Sequence, residues 1–304
     1  MRFDIMTLFP ELVERVLGES IIGRAQEAGY TTVKAHNIRD YSEDKHRRVD
    51  DTPYGGGKGM LMAAPPIYNC YRGVLADQLK DGYDGRRRVI YLSPGGRVLT
   101  QQIAEELARN YDNLILLCGH YEGVDRRIVE EIVDEEISIG DYVLTGGEIP
   151  ACILVDCVAR LTEGVLAAPE CYENESISSG LLEYPQYTRP VDYHGMKVPP
   201  VLLSGDHKKI DEWRKDAALE LTRRQRPDLL PPEEDPPPDG GKKKKQSAFA
   251  IPERDRKGGR TVAKQPTRGI VWDSLNRGTA KLYRLIAGSP RPCRCQTQNP
   301  SQHP

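Results

Sequence analysis

Short apolar blocks recur through the first two thirds of the chain, alternating with stretches whose apolar residues recur at helical spacing. RFDIMTLF (2–9) predicts a first strand, and Pro10-Glu11 suits the first turn of a helix through about Val16. Ser20 is placed to cap a second helix, IIGRAQEAG, with Gly29 as its stop. TTVKAHNI (31–38) reads as a strand, 39–59 as a long polar loop and 60–80 as a helix. A strand over 89–92 follows. Thr100 then caps QQIAEELARN, whose Ile103, Ala104, Leu107 and Ala108 fall on one face. A strand over 114–118, a charged helix around Arg126–Ile132, a strand over 137–144 and an apolar helix opened by Pro150 (ACILVDCVARL) complete the series. Strands alternating with helices predict an α/β fold with a largely parallel sheet.

The texture changes after Gly164. Residues 165–204 hold turns and short apolar pieces. Ser204 is then placed to cap a helix in which Ile210, Trp213, Ala217, Ala218 and Leu221 recur at helical spacing, which suggests a small second domain. From 231 onward Pro, Gly and charge blocks dominate. Such a composition buries too little apolar area to offset chain entropy, so 231–250 is expected to be disordered, with a short amphipathic piece near 279–287.

Charge sharpens this division. The 304 residues carry a formal net charge of −2, but from Pro231 to the end 15 Lys/Arg stand against 7 Asp/Glu, a net of +8. The first 230 residues are therefore at −10, so a nucleic-acid site in the body must be a local basic patch. Seven cysteines without a C-x-x-C spacing and six scattered histidines argue against a disulfide framework or a transition-metal cluster. The same cysteine usage fits a reducing cytoplasm, the expected location; no apolar run is long enough to span a bilayer, and the N-terminus does not read as a signal peptide.

Three segments carry the candidate chemistry: VIYLSPGGR (89–97), LILLCGHYEGVD (114–125) and SIGDYVLTGGEIP (138–150). Each runs from an apolar strand into a glycine-rich polar turn. Ligands of open α/β sheets bind outside the carboxyl ends of strands, so three such ends predict one composite pocket. No G-x-G-x-x-G follows the first strand, which disfavours an ordinary dinucleotide site. Gly55-Gly56-Gly57-Lys58-Gly59 is not a phosphate loop of the G-x-x-x-x-G-K-[ST] type, because Gly59 follows Lys58. A surface that lets a substrate approach the backbone fits it better. KHRR (45–48), beside Tyr41 and Tyr54, is either a solvated run or a contact for RNA phosphates and bases. Arg160, in an apolar helix, either pairs with Asp156 at i, i+4 or aims a guanidinium at developing charge.

With these residues in view, the chain resembles the bacterial tRNA (guanine-N(1)-)-methyltransferase family, TrmD, of the trefoil-knotted (SPOUT) methyltransferases. The matching stretches are IMTLFPE (5–11), VDDTPYGGGKGML (49–61), the three strand ends above, LLEYPQYTRP (181–190) and VPPVLLSGDHKKIDEWR (198–214), in order over residues 1 to about 230. The resemblance implies a trefoil-knotted S-adenosylmethionine-binding domain over 1–166 and a linker over 167–178. It also implies a small, mainly helical tRNA-binding domain over 179–230, truncated ahead of the basic tail 231–304. It implies a homodimer with shared active sites, acting on guanine 37 of tRNA.

Carried over by position, the cofactor would be lined by Tyr91, Leu92, Ser93, Pro94, Gly119, Tyr121, Glu122, Ile139, Gly140, Asp141, Tyr142, Val143, Leu144, Gly146 and Gly147. His46, Asp50, Tyr54, Gly57 and Arg189 would meet the tRNA. The family's arginine maps to Arg160, where it would stabilise charge on the guanine carbonyl. The aspartate that serves as general base is replaced here by Glu175, in ENES, with Glu173 in reserve. Glu122 is the candidate link to a magnesium ion, which leaves no readable ligand spacing. The altered carboxylate and C-terminus keep open a tRNA-binding protein with impaired catalysis; against the other rival, another knotted RNA methyltransferase, stand VDDTPYGGGKGML and YPQYTRP.

Overall fold

The computed structural model describes residues 1–166, 176–177 and 179–231. The linker carboxylates Glu173 and Glu175 and the tail beyond 231 lie outside the described residues, and so do the disorder and the short helix expected there.

The body is a five-stranded parallel sheet. Its strands are β1 (Arg2–Thr7), β2 (Thr32–Asn37), β5 (Arg87–Val98), β6 (Asn113–Cys118) and β7 (Glu135–Ser138), in the order β2-β1-β6-β5-β7. Two short strands, β3 (Asp50–Asp51) and β4 (Leu61–Met62), form an antiparallel pair of their own. Helices cover both faces. Leu114, Leu116 and Cys118 of β6 pack into one cluster with α1 (Pro10–Leu17), α2 (Ser20–Glu27), α4 (Gln101–Asn110) and α6 (Glu148–Ala159). Ile115 and Leu117 point the other way, towards α3 (Ala64–Lys80) and α5 (Arg126–Ile132). Burial on both faces is why β6 reads as a continuous apolar run rather than an alternating one.

Several boundaries differ from the sequence expectation. Residues 61–62 are extended because Met62 pairs with Asp50, so α3 starts only at Ala64. The strand expected over 137–144 is β7, which starts at Glu135 and stops at Ser138. There the Ser138 hydroxyl bonds both the Gly140 N–H and the Gly140 carbonyl, and Gly140 takes φ +147°. The strand expected over 89–92 extends over Arg87–Val98, with Ser93–Gly96 pushed out of register between Leu92 and Arg97. Thr100 does cap α4, accepting from the Ile103 N–H, and Gly29 follows α2 with φ +79°. Ser20 does not cap α2: it is the helix's first residue, at φ +57°.

Beyond the body, β8 (Asp192–Tyr193) and β9 (Met196–Lys197) form a hairpin through His194 and Gly195, both at positive φ, as a tight turn of this hand requires. The last α-helix among the described residues, α7 (His207–Gln225), is capped by Asp206, whose carboxylate accepts from the Lys209 N–H; Ser204 instead bonds the Val201 carbonyl. The Trp213 ring of α7 lies tilted against that of Tyr187, Arg214 lies over Tyr184, and Thr222 accepts from the Leu182 N–H. Trp213 of the apolar spacing read from the sequence, with Arg214, thus joins α7 to the YPQYTRP stretch. Among the described residues no helix is long and apolar enough to cross a membrane.

One core feature has no apolar signature. Asp4, in the middle of β1, is fully buried. It accepts hydrogen bonds from Arg2, His36, Gln78 and Asn113 at 2.8–3.1 Å. Burial pushes its pKa up, but the bonds from His36, Arg2 and Gln78 outweigh burial and hold it at about 2.

Candidate functional site

The C-terminal ends of β5, β6 and β7 lie at one edge of the sheet, and the segments that follow them border a single cavity of about 320 Å³. Its size is that of a small-molecule site. Tyr91–Pro94 come from β5, Gly119–Gly123 follow β6, and Ile137–Ile139 with Tyr142–Gly147 come from β7 and its loop. The loop after β7 does not run outward. Leu99 N–H donates to the Ser138 carbonyl and Gly147 N–H to the Gly119 carbonyl, so residues 139–147 return past the end of β5 to reach β6.

Glycine is required where these segments touch. A Cβ on Gly147 would lie 2.7 Å from the Cα of Cys118, and one on Gly96 would lie 2.4 Å from the carbonyl carbon of Glu136. Gly119 sits under the Tyr91 ring, where a Cβ would approach within 2.9 Å. Backbone, not side chain, therefore forms much of the wall, a surface suited to close approach by a ligand.

All the residues expected to line a cofactor border this cavity except Gly140 and Asp141. Gly140 lies beneath the Tyr142 ring, and Asp141 is exposed. The cavity also has walls that the sequence reading missed: His120, Gly123, Ile137, Ser138, Thr145 and Pro150. Behind His120 stands Glu148, the first residue of α6, almost wholly buried. An acid opening a strongly apolar helix, directly after Gly146-Gly147, was the available signal.

The expected tRNA contacts fall into two groups. Asp50, Tyr54 and Gly57 lie on or between β3 and β4, a hairpin sewn to the cavity rim. Met62 N–H donates to the Gly123 carbonyl and Glu122 N–H to the Met60 carbonyl. Glu122 packs over Gly59, whose φ of +93° and missing side chain make the contact possible. Tyr54 is 98% exposed. His46 is exposed in the basic run, where Arg47 pairs with Asp40 and Arg48 with Asp44 on the surface. Arg189 is exposed just ahead of β8 and does not border the cavity.

Arg160 also lies away from it. It closes α6, its N–H donating to the Asp156 carbonyl, roughly 15 Å along the helix axis from Pro150 at the cavity wall. The same helix exposes Ile149 and Ile153 to solvent, and Phe9, Leu12 and Val16 are exposed at α1. A second cavity, about 730 Å³, shares Ile139 and Tyr142 with the first and is bordered on its other side by Ile177, Arg226 and Leu229.

Fold and site together define an α/β protein with a parallel sheet and a ligand cavity built from three glycine-rich loops at the strand ends. A family model described as tRNA (guanine-1)-methyltransferase TrmD matches residues 1–232. Over 229 residues the chain is 58% identical to the tRNA (guanine-N(1)-)-methyltransferase of Ruminiclostridium cellulolyticum, covering 75% of this chain and 96% of that protein. The proteins of the same name from Clostridioides difficile and Geobacter sulfurreducens are each 52% identical, over 75% and 76% of this chain and 97% and 91% of theirs. The chain belongs to the TrmD family.

Proposed function

We propose that this protein methylates N(1) of guanine 37 in tRNA with S-adenosylmethionine as donor. The observation that carries the reading is the convergence of the three glycine-rich strand ends on one cavity, in a chain of this family. The cavity fits the cofactor: its walls are backbone at Gly119 and Gly147, where a Cβ would collide. When bound, S-adenosylmethionine supplies an electrophilic methyl group on a sulfonium. The trefoil knot is supported by the return of residues 139–147 past the end of β5.

The chain's own residues then have three tasks. A carboxylate takes the proton from N(1), in the range of about 10²–10⁴-fold for general-base catalysis; Glu175 is assigned that role. Arg160 stabilises negative charge growing on the adjacent carbonyl oxygen. Tyr142, exposed between the two cavities, offers a ring face to a base splayed from its stack. Arg160 ends α6 far from the cavity of its own chain, which supports a homodimer in which it serves the partner's cavity. The exposed apolar residues of α1 and α6 suit such an interface.

We read 1–166 as the catalytic domain, 167–178 as linker, 179–230 as the tRNA-binding domain and 231–304 as a basic tail that adds non-specific RNA affinity. Among the described residues no three His, Cys, Asp or Glu side chains are grouped to hold a metal. A magnesium ion would be held through water and Glu122. A cytoplasmic location accords with the free cysteines Cys70, Cys118, Cys152 and Cys157.

Calorimetry with S-adenosylmethionine, paired with methyl incorporation into a tRNA bearing G36-G37 and one lacking G37, tests this. Binding with methylation of the first tRNA alone is expected; binding without incorporation would leave only an RNA-binding protein. Glu175→Gln should lower turnover far more than cofactor affinity. Full activity in Glu175→Gln with loss in Glu173→Gln would move the base to Glu173.

A further inference from the structure

Four groups from three separate segments form a hydrogen-bonded chain behind the cavity, with Thr7 and Glu148 buried in its middle. The Phe9 N–H donates to Thr7 Oγ1 at 2.9 Å, and the Thr7 hydroxyl donates to Glu148 Oε1 at 2.6 Å. Glu148 Oε2 lies 2.6 Å from His120 Nε2. Glu148 is 3% exposed and does not border the cavity, whereas His120 does. Glu148 opens α6 with one carboxylate oxygen on the Thr7 hydroxyl and the other on the imidazole. An ionised carboxylate only accepts, so Nε2 carries the proton of the ring.

The ring is also a spacer. A Cβ on Gly146 would lie 2.2 Å from His120 Cε1 and 2.3 Å from Nε2, and the two residues form an isolated antiparallel bridge. Phe9 and Tyr121 flank the imidazole at 5.0 and 6.2 Å between ring centres. His120 thus stands between the loop after β6 and the loop after β7, tied through Glu148 and Thr7 to the end of β1.

We propose that His120 is a positioning residue for the cofactor cavity and that Glu148 sets it. The carboxylate locks the imidazole as the Nε2–H tautomer beneath Gly146, and the locked ring fixes the separation of the two glycine-rich walls. This rests on the reading of the cavity as the S-adenosylmethionine site. No role in proton transfer is implied.

The full chain is titrated calorimetrically with S-adenosylmethionine as wild type, Glu148→Ala, His120→Ala and His120→Gln, and KM for tRNA is measured alongside. Glu148→Ala and His120→Ala should each weaken cofactor binding roughly tenfold or more, since each leaves a buried polar partner unmatched. KM for tRNA should move less than about twofold. His120→Gln, which keeps an N–H donor towards the carboxylate, should recover most of the affinity. The imidazole ¹⁵N spectrum should show the Nε2–H tautomer in the wild type and a tautomer mixture in Glu148→Ala. Cofactor binding within about twofold of wild type in His120→Ala, or a wild-type ring protonated at Nδ1, would overturn the proposal. If Glu148→Ala does not fold, the two His120 variants and the wild-type spectrum decide. A wild type that binds no S-adenosylmethionine would instead refute the cavity reading, and the tautomer would still report on the pair.

Discussion

Gly147 rests against the backbone of Cys118, its N–H bonded to the Gly119 carbonyl and its Cα so near that a Cβ would lie 2.7 Å from the Cys118 Cα. This contact closes the loop after β7 onto the end of β6, and the atom it would strike is backbone in the centre of the sheet.

Gly147→Ala should therefore be costly. Overpacking of this kind destabilises by about 1–3 kcal/mol. Urea unfolding of the variant should show a loss in that range, with S-adenosylmethionine binding weakened at least tenfold. Gly55→Ala is the contrast in space alone, because nothing lies within 4 Å of the Cβ there, although its φ of +84° still adds strain.

Arg160→Ala should leave cofactor affinity within about threefold of wild type, because Arg160 lies outside the cavity of its own chain. Methyl transfer should fall by about a hundredfold or more, the scale for removing one donor from a developing oxyanion. If the arginine serves the partner's cavity, mixing Arg160→Ala with the Gly147→Ala variant should restore activity through mixed dimers carrying one intact site. Mixtures no more active than their components would place Arg160 and the cavity in one subunit.

Asp4 makes stability depend on pH at the acid end. Its folded pKa of about 2 lies below the ordinary carboxylate value of 3.8. The stabilisation is thus complete above the unfolded value and is lost as pH falls from about 4 towards 2. The difference corresponds to about 2 kcal/mol. Denaturant midpoints measured from pH 7 to pH 2 should fall over that interval, and Asp4→Asn should remove the part due to this group. At pH 7 Asp4→Asn should cost about 3 kcal/mol, since it leaves Arg2 buried with only Asp81 to balance it.

A chain ending at Pro231 should keep cofactor binding and turnover within about twofold of the full protein, since the family model ends at residue 232. Any loss should appear in KM for tRNA at low salt, the signature of non-specific phosphate contacts. A turnover collapse on truncation would give the tail a part in the chemistry.

Much was legible in the amino-acid order because it depends on neighbours along the chain. The period of apolar residues marked β1, β6, α4 and α7, and the glycine-rich turns after three strands marked the cavity. What depends on distant partners was not legible. That β5 lies between β6 and β7 and that 139–147 turns back instead of extending β7 follow from where the chain returns in space. The burial of Asp4 needs Arg2, His36, Gln78 and Asn113 brought together from four elements. His120 and Glu148, separated by 28 positions, meet only because β6 and the start of α6 share one sheet edge. The sequence by itself determined the α/β class, the family and the kinds of residue at the site. Tertiary structure alone decided which of them share a cavity and that Arg160 stands apart, because local periodicity reports burial while contact between distant segments depends on how the whole sheet is assembled.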